Sequence, residues 1–189
     1  MFKEESDFYK KDADGNFQLD EAGNRIRIAI PKGQQISKNG IWVGDYIYED
    51  LHEDGVIDEK DRTFLGNPAP KFTFGFNNYF AYKGFDLNIF LNGSVGNKAV
   101  NLIRRTFTDP MRNSNLLKEA TDIALIGMHD PEVGDEELSN VYIVNADRAK
   151  VQRVTTSSAN DNNRISSRFI EDASYLRIKN ISLGYTFPR

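Results

Sequence analysis

The clearest pattern of hydrophobic and polar positions is a pair of alternating runs over residues 72–95. The apolar positions that alternate with small or amide side chains are Phe72, Phe74, Phe76, Phe80, Tyr82, Phe85, Leu87, Ile89, Leu91 and Val95. A period of two places alternate side chains on opposite faces of a β-strand, and Gly84 supplies the positive φ that a tight turn requires. The pattern predicts a β-hairpin with arms at 72–82 and 85–95.

The length of the arms and the character of their faces leave two interpretations of this hairpin open. Each arm exceeds the roughly 5–6 residues usual for strands of soluble proteins and matches the roughly 9–11 residues that a tilted strand needs to cross a bilayer. One face is rich in Phe, whereas the other carries Asn, Ser, Thr and Asp86. Alternation between an apolar outside and a polar inside is typical of a transmembrane barrel strand. A long hairpin of a soluble sandwich, with one face in the core, gives the same pattern.

A second strand-like pattern lies within residues 168–187. The apolar positions of 181–187 alternate with polar or small residues, whereas the upstream pair Leu176 and Ile178 is one residue out of phase with them. A slip of one residue is what a β-bulge produces. The pattern therefore predicts a long strand with a bulge near Lys179.

The remaining segments have weaker patterns. Turn signals around Gly15 and Gly23 predict short, exposed β-ribbons in residues 1–40, and residues 41–48 are aromatic and β-prone. In residues 113–126 a modest apolar stripe at helical spacing predicts one short surface helix. The whole of 96–167 is too long for an ordinary connection, so we expect it to be functional or disordered. Its polar tract 151–165 is expected to be mobile or to face a ligand.

An acidic loop at 50–61 matches the twelve-residue calcium-loop template. Its candidate ligands are Asp50, His52, Asp54, Val56 through its backbone carbonyl, Asp58 and Asp61. Hard cations prefer six to eight oxygen ligands, and Gly55 at the sixth position makes the sharp turn that brings those ligands together. His52 and Asp61 depart from the template, which has Asp or Asn third and Glu last. A metal-free surface turn rich in Asp and Gly is the alternative, and a bound Ca²⁺ would support the loop structurally.

Composition excludes several classes of function. The chain has 24 Lys and Arg against 28 Asp and Glu, giving a net charge of −4 without the basic patch that nucleic acid requires. It has no cysteine and therefore no disulfide or thiolate metal site. No run of 18 apolar residues predicts a transmembrane helix. With two histidines and no paired acidic motif, the sequence predicts no enzyme activity.

Several long motifs resemble the SusC/RagA family of TonB-dependent outer-membrane transporters. They are the run 168–185, RFIEDASYLRIKNISLGY, the acidic loop in its setting from Gly44-Asp45 to Lys71-Phe72, and the hairpin turn YKGFDL at 82–87. The resemblance covers about residues 41–100 and 165–189, while 1–40 and 100–165 correspond in position only, as variable loops do.

The resemblance implies an all-β fold, an incomplete transmembrane β-barrel of antiparallel strands with long extracellular loops. In the family a plug domain fills a barrel of about 22 strands, and this chain has neither the plug nor the final strands. Its first residues also lack the apolar core of a signal peptide. We therefore expect a fragment from the C-terminal part of the barrel, with an extracellular loop and ribbon region at 1–71, a transmembrane hairpin at 72–95, a long extracellular loop at 96–167 and a transmembrane strand at 168–187.

Strand order agrees with this expectation. Barrels of this kind have short periplasmic turns and long extracellular loops. The short turn at Gly84 is then periplasmic, and both the 96–167 segment and the calcium-like loop lie outside the cell. Aromatic residues such as Tyr82, Phe85 and Tyr185 fall near the periplasmic boundary, where barrels carry an aromatic girdle.

Function follows from the resemblance as an expectation. It implies import of oligosaccharides or peptides across the outer membrane of a Gram-negative bacterium, in contact with membrane lipid. The implied partners are a SusD-like surface lipoprotein and TonB, which acts through the plug. Candidate substrate contacts are Asp86, Asn88 and Asn92 on the polar face, together with the loop near 160–164. The alternative is a soluble β module with a calcium loop that binds a carbohydrate or a protein; its own strands would have to cover the apolar face of 72–95.

Overall fold

The computed structural model describes residues 1–188 and shows an all-β chain with very little helix, as predicted, in which every strand pairing except the parallel β1–β2 pair is antiparallel. The strands are β1 (Ile30–Pro31), β2 (Val56–Ile57), β3 (Phe72–Tyr82), β4 (Phe85–Val95), β5 (Lys98–Val100), β6 (Ile126–Met128), β7 (Val141–Ile143), β8 (Ile170–Asp172) and β9 (Tyr175–Tyr185). The α-helix, α1, is Leu102–Phe107, and 3₁₀ turns lie at Glu5–Phe8, Glu59–Asp61, Lys118–Thr121, Leu138–Asn140 and Ser167–Phe169. The chain divides into two compact units, the first formed by Met1–Thr63 with Ile103–Arg164 and the second by Phe64–Leu102 with 165–188.

The second unit is built on a three-stranded antiparallel sheet of order β3-β4-β9. The predicted hairpin is confirmed, with Phe72 opposite Val95 and Tyr82 opposite Phe85. Its two-residue turn has positive φ at both Lys83 and Gly84, at 47° and 86°. This is the geometry whose twist matches that of the flanking strands. The local sequence therefore sets the register of all 11 residues in each arm.

The predicted bulge in the third strand is also confirmed. Phe90 pairs with Asn180 and Leu91 pairs with Ile178, which leaves Lys179 without a partner on β4. Because of this extra residue, Ile178 lies on the same face as Ile181 although the two are three positions apart. The strand itself begins at Tyr175, so the predicted strand region 168–187 consists of a 3₁₀ turn, the short strand β8 and then β9.

A second irregularity joins the sheet to the β5–β8 pair. Ser94 lies opposite Tyr175, and Lys98 lies opposite Asp172. The segment between Ser94 and Lys98 is therefore one residue longer than the segment between Asp172 and Tyr175. The break is closed by the Gly96 amide, which donates to Ser174 Oγ at 2.9 Å. The first residue pair after the break, Lys98 and Asp172, forms an ion pair at 3.0 Å. Hydrogen bonds thus carry the pairing across the break.

In the first unit, residues that lie far apart in the sequence form one hydrophobic core. The core consists of Phe2, Phe8, Ile41, Trp42, Val43, Ala124, Val141 and Ile143. Phe2 and Phe8 stack with ring centroids 4.0 Å apart. The predicted ribbon in residues 1–40 is present, with antiparallel bridges Tyr9–Arg27, Lys11–Phe17 and Leu19–Arg25. Its first strand starts beside the fully buried Phe8, so its base is anchored in the core.

A buried ion pair lies beside this core. Asp45 is 1% exposed and Arg153 is 5% exposed, and the guanidinium donates to both carboxylate oxygens at 3.0 and 3.1 Å. The remaining donors of Arg153 bond to the carbonyls of Lys38 and Gly40 at 3.0 and 2.9 Å. The Asp45 carboxylate also accepts from the Trp42 amide at 2.9 Å. With these hydrogen bonds on both partners, the pair meets the condition for a charge to be tolerated in a protein interior.

Two expectations for residues 96–167 are corrected. The helix predicted at 113–126 does not form, and a 3₁₀ turn at Lys118–Thr121 takes its place, because the Ala124 amide donates to the Val151 carbonyl at 2.9 Å instead of to a residue of its own segment. The polar tract 151–165 is partly buried and not wholly at the surface. Val151, Gln152, Arg153 and Asn160 in it are all buried.

Arg153→Met is expected to lower the free energy of unfolding by about 3–5 kcal/mol, because it leaves the Asp45 carboxylate buried without its counter-charge. Trp42, the single tryptophan, is 2% exposed, so urea unfolding of the detergent-solubilised chain, followed by its fluorescence, measures the loss. Arg62→Met is the matched control, since both partners of the Arg62–Glu59 pair are more than three-quarters exposed, at 77% and 78%. That change should cost less than about 1 kcal/mol. Equal losses for the two variants would contradict a special role for the buried pair.

Candidate functional site

The three long strands give their sheet one mainly apolar face, which Asn78, opposite Ile89, interrupts. The side chains on this face are Phe72, Phe74, Phe76, Phe80 and Tyr82 of β3, Phe85, Leu87, Ile89, Leu91 and Val95 of β4, and Leu176, Ile178, Ile181, Leu183 and Tyr185 of β9. Many of them are largely exposed, for example Phe80 at 57% and Leu183 at 73%. A contiguous apolar surface of this kind marks a site of contact with membrane or protein.

Aromatic rings gather at the hairpin end of this sheet. The rings of Phe85 and Tyr185 have centroids 4.4 Å apart, and Tyr185 meets Phe187 edge-on at 5.0 Å. Tyr82 at the turn is 71% exposed. Aromatic residues with an apolar body and a polar tip favour the boundary between hydrocarbon and water.

The opposite face of the sheet is mainly polar, although Tyr79 and Phe90 also lie on it, and it holds the three predicted substrate contacts on one strand. Asp86, Asn88 and Asn92 of β4 lie opposite Gly184, Ser182 and Arg177 of β9, respectively. The side-chain oxygens of Asn88 and Asn92 are both inaccessible to solvent and accept no hydrogen bond from residues 1–188. The structure therefore brings these side chains onto one surface, where their amide oxygens still need donors.

The acidic loop is organised around carboxylates that accept backbone hydrogen bonds. Asp61 accepts from the amides of Leu51, His52 and Asp58 at 2.9, 3.2 and 2.8 Å. Asp50 accepts from the Gly55 amide at 2.9 Å, and Gly55 has the positive φ, 82°, that the template requires. The hydrogen bond from the Asp58 amide, followed by those from His52 and Leu51, lowers the pKa of Asp61.

The oxygens of this loop do not converge on one point. Within residues 1–188 there is no group of three or more His, Cys, Asp or Glu side chains arranged to hold a metal ion. Asp54 is paired with Lys60 at 3.0 Å, and this hydrogen bond lowers the pKa of the carboxyl group. Asp50 Oδ1, however, is buried and accepts no hydrogen bond in the described chain. Calcium binding at Asp50, His52, Asp54, Val56, Asp58 and Asp61 stays a prediction.

A cleft beside the acidic loop was not anticipated from the sequence. Its volume is about 510 Å³, and it lies between Lys10 and Gln18 of the ribbon and the stretch that includes Tyr48, Asp50 and Glu53. Glu53 has a φ of 55°, which is unusual for a residue with a side chain. Because the ribbon and the loop are separate sequence patterns, neither one indicates that they share a cleft.

The 160–164 loop serves the fold instead of standing free for a ligand. Asn160 is buried and donates to the Tyr46 carbonyl at 2.8 Å. Asn162 donates to Asp45 at 2.8 Å and accepts from the Tyr46 amide at 2.9 Å. The loop is therefore an extension of the buried Asp45–Arg153 pair, to which sequence patterns gave no signal.

Comparison with known proteins finds partial similarity to bacterial receptors. TonB-dependent receptor P3 of Formosa agariphila is 30% identical over 159 residues, covering 84% of this chain and 14% of that protein. TonB-dependent receptors P26 and P39 of the same organism are 32% and 27% identical over 147 and 145 residues, covering 77% and 76% of this chain and 13% and 12% of those proteins. No family model matches the chain.

The share of each relative that the chain matches limits what the similarity shows about this chain. The chain spans only 12–14% of the length of the three relatives. All three relatives are named TonB-dependent receptors. Within residues 1–188 no helix is long and apolar enough to cross a membrane. The similarities and the antiparallel all-β architecture together support a relationship of this chain to the TonB-dependent receptors.

Proposed function

We propose that this chain forms part of the barrel wall of an outer-membrane TonB-dependent transporter of the SusC/RagA type. The observation that carries the proposal is the exposed apolar face on three neighbouring strands of 11 residues each. This length is the one needed by a tilted strand that crosses a bilayer, about 9–11 residues. Lipid is then the solvent of the apolar face, and the polar face lines the lumen.

The edges of the sheet support the same proposal. β3 and β9 each pair with β4 on one side only, so the other side of each presents unpaired backbone groups. Hydrocarbon does not hydrogen-bond such groups, and closed barrels satisfy them with neighbouring strands. In the proposed transporter further strands of the wall flank β3 and β9.

The cargo and the partners are part of the proposal. The three relatives are named TonB-dependent receptors, and the SusC/RagA resemblance adds oligosaccharides or peptides as cargo and a SusD-like surface lipoprotein as partner. TonB supplies energy through a plug domain. In this arrangement the turn at Gly84 is periplasmic, residues 96–167 are extracellular, and Asp86, Asn88 and Asn92 face the cargo path.

A soluble β module that binds a carbohydrate or a protein is the competing proposal. It requires other parts of the chain to cover the apolar face of the sheet. Phe72, Phe76 and Phe80 remain 55%, 55% and 57% exposed, so this cover is missing in the described residues. The exposure favours the barrel wall.

Calcium binding in the acidic loop is a second proposal, favoured by Asp50 Oδ1. A buried carboxylate oxygen without a donor is costly, and a bound cation would remove that cost. Ca²⁺ would have to displace Lys60 from Asp54, so we expect the weak affinity of extracellular calcium modules, about 10⁻⁴–10⁻³ M.

The 189-residue chain is expected to aggregate in plain buffer and to show ordered aromatic signals in detergent, because Phe-rich surface and open sheet edges are otherwise exposed. Solubility and near-UV circular dichroism with and without detergent measure this. A soluble monomer with strong near-UV signals in plain buffer would overturn the barrel-wall proposal and favour the soluble module.

Ile181→Lys is expected to destabilise the sheet in lipid vesicles by about 2–4 kcal/mol, the cost of a cation on the lipid face near the middle of the bilayer. Ser182→Lys is the matched control, because Ser182 pairs with Asn88 on the polar face. Urea unfolding of the two variants in vesicles measures the difference. If both substitutions cost the same, the two faces do not have the proposed surroundings.

Calcium at about 10 mM, well above the affinity expected for such a loop, should raise the urea midpoint of the chain. A ligand that binds only the folded state stabilises it. Asp50→Asn should remove the increase, whereas Asp14→Asn, an acidic change in the ribbon turn, should keep it. Titration calorimetry with Ca²⁺ gives an independent measurement, and no heat together with no shift would exclude the site.

A further inference from the structure

The polar face of the sheet carries a positive charge at mid-strand. Arg177 lies opposite Asn92 and shares its face. Its guanidinium lies 5.3 Å from the centre of the Tyr175 ring, a neighbour on the same side of β9. Arg, an aromatic ring and an amide are therefore adjacent on one surface.

Lys179 adds a second positive charge through the bulge. It is the extra residue of β9, between Ile178 and Asn180, with no partner on β4. On the apolar face its ammonium would lie in hydrocarbon at a cost of about 2–4 kcal/mol. In the proposed barrel wall the polar face avoids this cost, and from this we infer that Lys179 shares the face of Arg177. Bulges commonly re-aim a side chain in this way.

Within residues 1–188 no acidic group pairs with these two cations. Neither Arg177 nor Lys179 forms an ion pair with any residue in 1–188. Asp86 is the acidic residue of the three strands, and it pairs with Gly184 near the turn. Asp86 is six strand positions, about 20 Å, from Asn92, the residue opposite Arg177. This distance exceeds the length of roughly 8 Å over which charges are screened in physiological salt.

We propose that Arg177 and Lys179 form an anion-recognising position on the lumenal wall, for a carboxylate or sulfate group of an oligosaccharide cargo. The proposal rests on the proposed transport function and defines the charge of its substrate. Arg binds such groups in a bidentate manner, and charge-assisted hydrogen bonds of this kind are the stronger ones.

The test is titration calorimetry of the chain in detergent with three probes. They are an oligogalacturonate, which carries carboxylates, a sulfated galactan oligosaccharide, and neutral maltohexaose. We expect one or both anionic probes to bind, and we expect added salt to weaken this binding. Comparison of the two anionic probes shows whether the position recognises a carboxylate or a sulfate group. Equal affinity for the neutral and the anionic probes, or no binding of either anionic probe, would overturn the proposal.

Charge-removing variants locate the site. Arg177→Gln and Lys179→Gln should each weaken binding of the anionic probe about tenfold or more, the loss of one charge-assisted hydrogen bond. Lys83→Gln, the same change at the hairpin turn, is the matched control and should leave affinity unchanged. Far-UV circular dichroism checks that every variant keeps the sheet. Unchanged affinity in both test variants, or the same loss in Lys83→Gln, would contradict the assignment.

This assay does not depend on transport. If the anionic probes fail to bind while the sheet is ordered in detergent, the charge assignment fails and the barrel-wall proposal stands. If the chain is instead a soluble monomer in plain buffer, the barrel-wall proposal fails, and binding to Arg177 and Lys179 is still measured directly.

Discussion

The sheet of β3, β4 and β9 depends on one constraint, which is that its two faces require different solvents. Alternation with a period of two over 11 residues separates a Phe- and Leu-rich side from a side on which Asn, Ser and Thr predominate, with Asn78 on the first side and Tyr79 and Phe90 on the second as exceptions. A soluble domain would bury the first side under its own chain. Here the apolar side stays exposed, so the stability of the sheet is tied to an apolar environment that residues 1–188 do not supply. Bilayer hydrocarbon meets that requirement, and the barrel-wall proposal follows from it.

The first unit solves a different physical problem, because its strands are too short to stabilise one another. The named strands assigned to it have only two or three residues. Side-chain packing and one buried charge pair hold it together instead. Asp45 and Arg153 use hydrogen bonds to backbone carbonyls and amides to connect segments that are 108 residues apart in sequence. Such a pair is favourable only when nearly every donor and acceptor is satisfied, which explains why irregular backbone surrounds it.

Sequence patterns anticipated the parts of the fold whose causes are local. The hairpin, its turn and the Lys179 bulge are all encoded within a few neighbouring positions, and the structure confirms each one. The apolar stripe at 113–126 shows the limit of this approach, because the Ala124 amide pairs with Val151 and tertiary pairing overrides the local helical preference. Arg153 was equally invisible, since nothing in a polar tract distinguishes a buried arginine from an exposed one.

The same distinction between local and distant causes applies to the candidate sites. The template at 50–61 correctly located a turn in which Asp50 and Asp61 accept backbone hydrogen bonds, because those bonds connect near neighbours. The template did not predict that the Lys60 ammonium forms an ion pair with the Asp54 carboxylate. On the sheet, alternation placed Asp86, Asn88 and Asn92 on one face, but the charge of that face emerged only from strand pairing, which sets Arg177 beside Asn92. A wall that separates lipid from a polar path tolerates unpaired cations only on its wet side. The proposed lumen would therefore account for the bulge residue Lys179, which has no partner on β4.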